Sequence, residues 1–337
     1  MPPLFSFLTT AYQTERHVGE TIDSVLAQTR TDWELIVVDN GNSDEMACVV
    51  DKYTGDSRIK LVRQENKGIR GGVTAAADVA IGRYLCPLNS DDLVQPDYCE
   101  RVGTLIDADP GVHAVGCDAE LFSDPDDGRP PEGYFESVGR RSMPDTSRAM
   151  SLEEMLDEGV PLYLGAFRRD VWDAHDAFGP ASDAEPDVAL WLSLAAAGRD
   201  IRVLPDRLAR IRRRPDSVSH DPSAIEEFES KLQQAFLTVC GDDPVSEAAV
   251  SSSGMLHRVR YSIALRRARW ALLDGDVRGA RAAASDAYRH QRTLRAAAVI
   301  VALRISPRML RSIHPAKNRA QNALRRARFR VVSRQAR

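Results

Sequence analysis

Apolar positions in the first hundred residues fall into two alternating patterns. Leu4-Phe5-Ser6-Phe7-Leu8 runs apolar in the manner of a buried strand and stops at Thr9-Thr10-Ala11-Tyr12-Gln13. Val18, Ile22, Val25 and Leu26 then recur at helical spacing, on one face. Leu35-Ile36-Val37-Val38 is an unbroken apolar run, as expected of a parallel sheet covered on both sides. Ala47, Val49, Val50 and Tyr53 predict a short helix, and Ile59-Lys60-Leu61-Val62 another strand. A turn with Gly68, Gly71 and Gly72 precedes a helical run from Val73 to Ile81. Then comes Leu85-Cys86-Pro87-Leu88, which reads as a strand and ends abruptly in Asn89-Ser90-Asp91-Asp92. Strand, helix, strand, helix at this spacing predicts βαβ units and an α/β fold.

Two of these strands end in acids, at Asp39 and at Asp91-Asp92. In a parallel sheet both ends lie on one edge, where open α/β sheets bind their ligands. Taken alone, Asp91-Asp92 also fits a loop with a helix cap before Pro96. Acids clustered without cationic partners suit a hard divalent ion, Mg2+ or Mn2+. No G-x-x-x-x-G-K-[ST] string occurs, and no G-x-G-x-x-G follows a strand, which argues against P-loop ATPases and dinucleotide enzymes.

Further along, a helix is expected from about Asp97 to Asp107 and a strand at Val112-His113-Ala114-Val115-Gly116. Residues 123–148 read as a long loop, with Pro125, Gly128, Pro130 and Pro131 breaking any regular element. Its acids lack the spacing of an EF-hand calcium loop. From Ile225 the pattern turns helical, and Tyr261 to Tyr288 resembles one tetratricopeptide-like hairpin, too little for a solenoid. Beyond Pro315 the chain is a basic tail with Leu324, Phe329, Val331 and Val332 interleaved. The expected organisation is a sheet domain over 1–222, a helical domain over 223–315 and the tail over 316–337.

Charge sharpens that division. The net charge of −4 conceals 21 Arg and Lys against three acids from residue 255 onward, a balance of +18 that leaves −22 for residues 1–254. An anionic membrane surface is the partner expected for the basic tail, a solvated basic helix being the alternative. Nucleic acid is not expected, because no reading motif accompanies the basic residues. The five cysteines form no C-x-x-C pair, which points to a reducing compartment and away from disulfides or structural zinc. The N-terminus has no basic lead before an apolar core, so no signal peptide is predicted. The best apolar stretch, Ala296 to Leu303, lies between Arg295 and Arg304 and is far too short to span a bilayer. A cytoplasmic protein, peripheral at the inner membrane face, is the expectation.

The segments Ser6–Gln13, Glu34–Asp44, Glu65-Asn66-Lys67-Gly68 and Leu88–Leu93 resemble, in order and spacing, the family 2 glycosyltransferases. Those enzymes carry strings close to P-T-Y-N, E-L-I-V-V-D-D-G-S-T-D, E-N-x-G and F-L-D-S-D-D. They are inverting, metal-dependent transferases of the GT-A fold, a mixed and mostly parallel sheet flanked by helices. Here that fold would carry a C-terminal helical appendage.

The resemblance implies roles. Asp39 matches the acid that recognises the nucleotide base, with Asn40 in place of a second Asp. Thr10 and Tyr12 match the turn flanking the base, Thr10 standing where Pro is usual. Asp91 matches the metal-binding acid, Asp92 is a second candidate ligand, and Asn89 replaces an acid near the ribose. Val73-Thr74 stands where the family has Arg-Asn, and Arg70 is the candidate to restore that charge. Asp187, in Pro186-Asp187-Val188-Ala189-Leu190-Trp191, matches the general base, with Glu185 or Asp183 in reserve. Placed behind Pro186 in the first turn of a helix, Asp187 should feel the helix dipole and keep a low pKa. Leu208 to Ser219 resembles the family's closing segment, which puts Arg212 and Arg214 near the diphosphate, Arg214 replacing a His. The implied donor is a nucleotide-diphosphate sugar, a UDP-sugar foremost, and the implied acceptor a cell-envelope, polysaccharide or lipid-linked hydroxyl. A nucleotidyltransferase-like enzyme, or a degenerate relative serving as a scaffold, are the competing readings.

Overall fold

The computed structural model describes residues 2–124, 132–140, 142–175, 186–214 and 254–308, with 227, 231, 234 and 235. The basic tail and the reserve acids Asp183 and Glu185 lie outside the described residues.

The N-terminal half follows the expected alternation: β1 (Phe5–Ala11), α1 (Val18–Leu26), β2 (Trp33–Asp39), α2 (Asp44–Val50), β3 (Ile59–Arg63), α3 (Gly68–Val79), β4 (Tyr84–Pro87), β5 (Leu93–Val94) and α4 (Tyr98–Ala108). There follow β6 (Ala114–Ser123), β7 (Glu132–Gly133), α5 (Tyr134–Ser137), α6 (Leu152–Glu158), β8 (Ala166–Arg168), α7 (Arg169–His175), α8 (Pro186–Ala196) and β9 (Ile201–Arg213). Three further helices close the described chain, α9 (Gly254–Asp274), α10 (Val277–His290) and α11 (Leu294–Ile305).

All nine described strands join one sheet in the order β3-β2-β1-β4-β8-β6-β9-β5, with β7 on β6. β1 to β4 run parallel, β8 is antiparallel to both its neighbours, and β6 and β9 are parallel again. The carboxyl ends of β1, β2, β4, β6 and β9 therefore reach one edge, although they come from positions as distant as Ala11 and Arg213. One apolar layer, with Phe5, Phe7, Leu35, Val37, Cys86 and Tyr98, lies under α1 and α4. The other, with Leu8, Ile36, Val38, Leu85, Phe167 and Trp191, is covered by α3 and α8. Both faces are thus buried, which is why the β2 sequence is continuously apolar.

Three elements differ from expectation. The Gly-rich turn is already helical: α3 starts at Gly68, which sits at φ +69°, and not at Val73. Gly72 is required there, because a Cβ would lie 2.2 Å from Thr10 Cγ2, so its absence lets α3 lie directly on the end of β1. β6 continues past Gly116 to Ser123, and β7 and α5 fall inside 123–148, so less of that stretch is loop than its prolines suggest. The C-terminal hairpin gains a third helix, α11, sharing with α9 and α10 a small core of Ala268, Leu272, Ala280, Ala284 and Leu303. α9 also packs on α6 of the sheet domain.

Candidate functional site

The turns after β1 and β2 form one corner of the sheet edge. Asn40 N donates to Ala11 O (2.9 Å), and the Tyr12 ring lies against Gly41, where a Cβ would meet Cδ2 at 3.0 Å. Tyr12 is exposed, whereas Asp39 is buried. Asp39 Oδ1 accepts from Ser43 N (3.0 Å) and Oδ2 from Arg63 Nε (3.2 Å), so each oxygen has one lone pair left for a ligand. Gln13 and Asn42, one on each turn, both adopt left-handed φ values of 56° and 50°.

Asn40 turns out to anchor its loop. Its amide donates to Gly68 O (3.0 Å) and Asn66 Oδ1 (3.2 Å), and its carbonyl accepts from Gln64 Nε2 (2.8 Å) and Lys67 N (3.2 Å). An Asp could not make the two donations. Thr10 is likewise a packing residue: its Oγ1 is buried without a hydrogen-bond partner and its methyl faces Gly72.

The turn after β4 divides its two acids. Asp92 is buried and accepts from Arg212 N (2.7 Å), Tyr163 OH (2.8 Å) and Asn89 Nδ2 (3.3 Å). Burial, reinforced by the charge of Asp91, pushes its carboxyl up to about 7. The expectation of Asp92 as a second metal ligand is corrected: both its oxygens are turned into the protein to hold the turn. Asp91 instead retains some exposure, with Oδ2 3.3 Å from Arg214 Nε. Thr14 Oγ1 meets Ser90 Oγ at 2.7 Å and Thr21 Oγ1 donates to Asp92 O (2.9 Å), fixing the turn to the segment after β1.

Arg212 requires a second correction. Its guanidinium is buried and donates to Glu20 Oε2 (2.7 Å), Asp91 O (2.7 Å) and Asp124 Oδ2, and it lies over the Phe122 ring. With its charge balanced and its donors directed inward, it clamps β9 to the Asp91 turn and does not face a diphosphate. Arg214, two residues on, is the basic group that β9 delivers to Asp91.

A cleft of about 220 Å³ opens between these elements, lined by Ile69, Val73, Pro87, Asn89, Tyr163, Pro186 and Asp187. It brings Asn89 and Asp187 together from positions nearly a hundred residues apart. Trp191 lies one helical turn further along α8 on the same face as Asp187. That indole is buried, donates to Leu162 O (3.0 Å) and packs on Phe167 with centroids 4.5 Å apart. Gly165 makes room for it, since a Cβ would lie 2.4 Å from Trp191 Cζ2. The low pKa expected for Asp187 is overturned. Burial raises its carboxyl, outweighing the backbone N–H groups of Val188 and Asp187 and the nearby charge of Arg70. Arg70 sits on α3 between the cleft-lining Ile69 and Val73, the latter lining the cleft without charge.

Tyr163 escaped sequence reasoning. Its hydroxyl accepts from Asn89 N (3.3 Å) and donates to Asp92, so it ties the cleft wall to the acid turn. The only available signal was a polar aromatic inside the apolar run Leu162 to Phe167.

Among the described residues no three Asp, Glu, His or Cys side chains converge as a ready-made metal cluster. A divalent ion held by one carboxylate and by substrate phosphates needs no such cluster. The partly exposed Asp91 fits that arrangement. Among the described residues no helix is long and apolar enough to cross a membrane.

The mixed sheet with a crevice at the strand ends and helices on both faces is similar to the fold of GT-A type glycosyltransferases. The family model for glycosyl transferase family 2 matches residues 6–173. The chain belongs to the family 2 glycosyltransferases. It is 32% identical over 101 residues to a putative glycosyltransferase, EpsH, of Bacillus subtilis, covering 30% of this chain and 29% of EpsH. It is 40% identical over 91 residues to the Escherichia coli UDP-Glc:alpha-D-GlcNAc-diphosphoundecaprenol beta-1,3-glucosyltransferase WfgD, covering 27% of this chain and 36% of WfgD. The chain therefore spans about a third of the length of these curated relatives. Residues 1–349 of S. aureus TarS bound to UDP-GlcNAc superpose with a TM-score of 0.57 at 16% identity, over 93% of this chain and 92% of that one. The Pyrobaculum calidifontis mannosyltransferase PcManGT, bound to GDP-Man and Mn2+, gives 0.55 at 17% identity, over 97% and 86%.

Proposed function

We propose that this glycosyltransferase moves a sugar from a nucleotide-diphosphate sugar, a UDP-sugar first, to an acceptor hydroxyl with inversion at the anomeric carbon. The observation that carries this reading is the cleft lined by both Asp187 and Asn89, with Arg70 on the adjoining turn of α3. Breaking the sugar–diphosphate bond develops negative charge on the leaving group, and Arg214 and Arg70 supply cationic groups near it. Asp91 would hold Mg2+ or Mn2+, which when bound supplies Lewis-acid stabilisation of that charge. Asp39 and Tyr12 would receive the base, the one through its remaining acceptor positions and the other through its exposed ring. Asn89 can hydrogen-bond a sugar or ribose hydroxyl.

Asp187 takes the proton from the acceptor hydroxyl as the oxygen attacks the face opposite the diphosphate. Its raised pKa makes it a stronger base than an ordinary carboxylate. The acceptor is a cell-envelope polysaccharide or a lipid-linked glycan; the name of WfgD gives a diphosphoundecaprenol-linked GlcNAc as the acceptor of that enzyme. It would be met at the cytoplasmic face of a membrane. Asp187→Asn should retain donor binding by thermal shift and lose transfer by about 10²- to 10⁴-fold, the usual contribution of general-base catalysis. Near-normal turnover in that variant would remove Asp187 from the role.

A further inference from the structure

Helix α11, Leu294-Arg-Ala-Ala-Ala-Val-Ile-Val-Ala-Leu-Arg-Ile305, has no polar face. Arg295 and Arg304 are its only polar residues. A helix apolar all round is ordinarily enclosed by protein or lipid. Among the described residues this one is enclosed on one side alone. Leu303 is buried in the core shared with α9 and α10, Ala296 is buried too, and Thr293 caps the start of the helix by accepting from Ala296 N (3.1 Å). On the opposite side Leu294 is 92% exposed, Val301 53% and Ile305 78%. At helical spacing these three, with the exposed Ala298, form one straight ridge, and Arg295 and Arg304 flank it on either side.

We infer that this ridge is the element by which the protein lies on an anionic lipid surface, with Leu294, Val301 and Ile305 among the acyl chains and Arg295 and Arg304 at the phosphates. Charge decides between occupants. Residues 255–337 carry +18, so a second copy seated here would set two strongly positive modules against each other. An anionic headgroup layer is complementary to that charge and to the flanking guanidiniums, and the hydrocarbon below it accepts the ridge. Long Arg side chains keep their heads in the interface while their stems cover apolar surface. At 12 residues α11 is too short to span a bilayer, so it lies in the plane of the interface. This contact is separate from the basic tail and does not depend on the donor chemistry.

The experiment uses the full chain, co-sedimented with vesicles of phosphatidylcholine with and without phosphatidylglycerol. Binding is expected only to the anionic vesicles. The triple variant Leu294→Ser, Val301→Ser, Ile305→Ser should weaken it by about tenfold or more, since each buried aliphatic side chain contributes substantially to transfer. Arg295→Gln with Arg304→Gln should weaken it by a similar factor through charge alone. These residues are exposed, so circular dichroism and donor hydrolysis without vesicles should match the parent. Loss of hydrolysis in the parent would count against the transferase reading and leave the lipid result standing. A triple variant that binds as the parent does, a parent that ignores anionic vesicles, or self-association of the parent that the triple variant abolishes would each overturn the inference.

Discussion

The turns after β2 and after β4 are built from the same two residue types, an Asn and an Asp, with the parts exchanged. After β2, Asn40 is buried and spends both ends of its amide holding residues 64–68. After β4, the amide of Asn89 lines the cleft, and the acid Asp92 is buried and accepts three hydrogen bonds. Each turn therefore has one residue whose hydrogen bonds fix the backbone and one proposed to meet the ligand, and chemical type does not say which is which. A buried polar group must be satisfied from within, and one whose hydrogen-bonding capacity is spent has little to offer a substrate, whereas Asp39 accepts only one hydrogen bond on each oxygen.

The largest effect that tests this contrast comes from the two adjacent acids. Asp92→Ala leaves Arg212 N and the Tyr163 hydroxyl without their acceptor, at about 1–3 kcal/mol for each unsatisfied group. A fall in Tm of roughly 5 °C or more is expected, since 1 kcal/mol corresponds to about 2–4 °C at this size. Asp91→Ala should leave Tm nearly unchanged and abolish the stabilisation by UDP that depends on Mn2+. Equal melting losses in the two variants would erase the division of labour.

Next in size is Asn40→Asp, which restores the acid usual in the family. Here it would set a carboxylate oxygen against Gly68 O and Asn66 Oδ1, so a loss of about 1–3 kcal/mol is expected, read by urea unfolding. A stabilised or more active variant would show that Asn40 is a ligand-facing residue after all.

A third test is the pH profile. Asp187 must be ionised to accept a proton, so activity is lost as pH falls through its pKa. Because burial raises that pKa, the acid limb of the transfer rate should lie above the ordinary carboxylate range. Arg70→Gln removes a charge that lowers it, and should move the limb further up. A limb that stays put in Arg70→Gln would separate Arg70 from the base.

Much of this was legible in the sequence. The apolar runs and the helical spacing of Val18 to Leu26 placed β1 to β4 and α1, because sheet burial imposes period and length directly on residue choice. Asp39, Asp91 and Asp187 were legible through motif spacing, and all three reach the expected edge or cleft. The direction of side chains was not. Arg212 near the end of β9 and Arg214 just past it differ by two residues, yet the first is closed in by Glu20 and Asp124 and the second reaches Asp91. Those partners come from α1 and from the end of β6, so no local pattern announces them. The pKa of Asp187 was misjudged for the same reason: the dipole is local to α8, whereas the burial that outweighs it comes from the rest of the fold.

The smallest effect is expected from Tyr163→Phe, and it is the most selective. The ring would still wall the cleft, and only one hydrogen bond to Asp92 and one from Asn89 N would go. A neutral hydrogen bond contributes about 0.5–1.5 kcal/mol, and one to a charged group about 1.5–3, so Tm should drop by only a few degrees. Function should respond out of proportion. Asn89 takes its place on the cleft wall partly from that hydroxyl, and so does the turn that presents Asp91. A fivefold or greater rise in KM for donor, with kcat much less affected, is therefore expected from steady-state kinetics, because a misplaced turn weakens substrate and transition state alike. If KM is unchanged while Tm falls, Tyr163 only supports the fold, and the Asn89–Asp92 turn keeps its geometry from Arg212 and Thr14 alone.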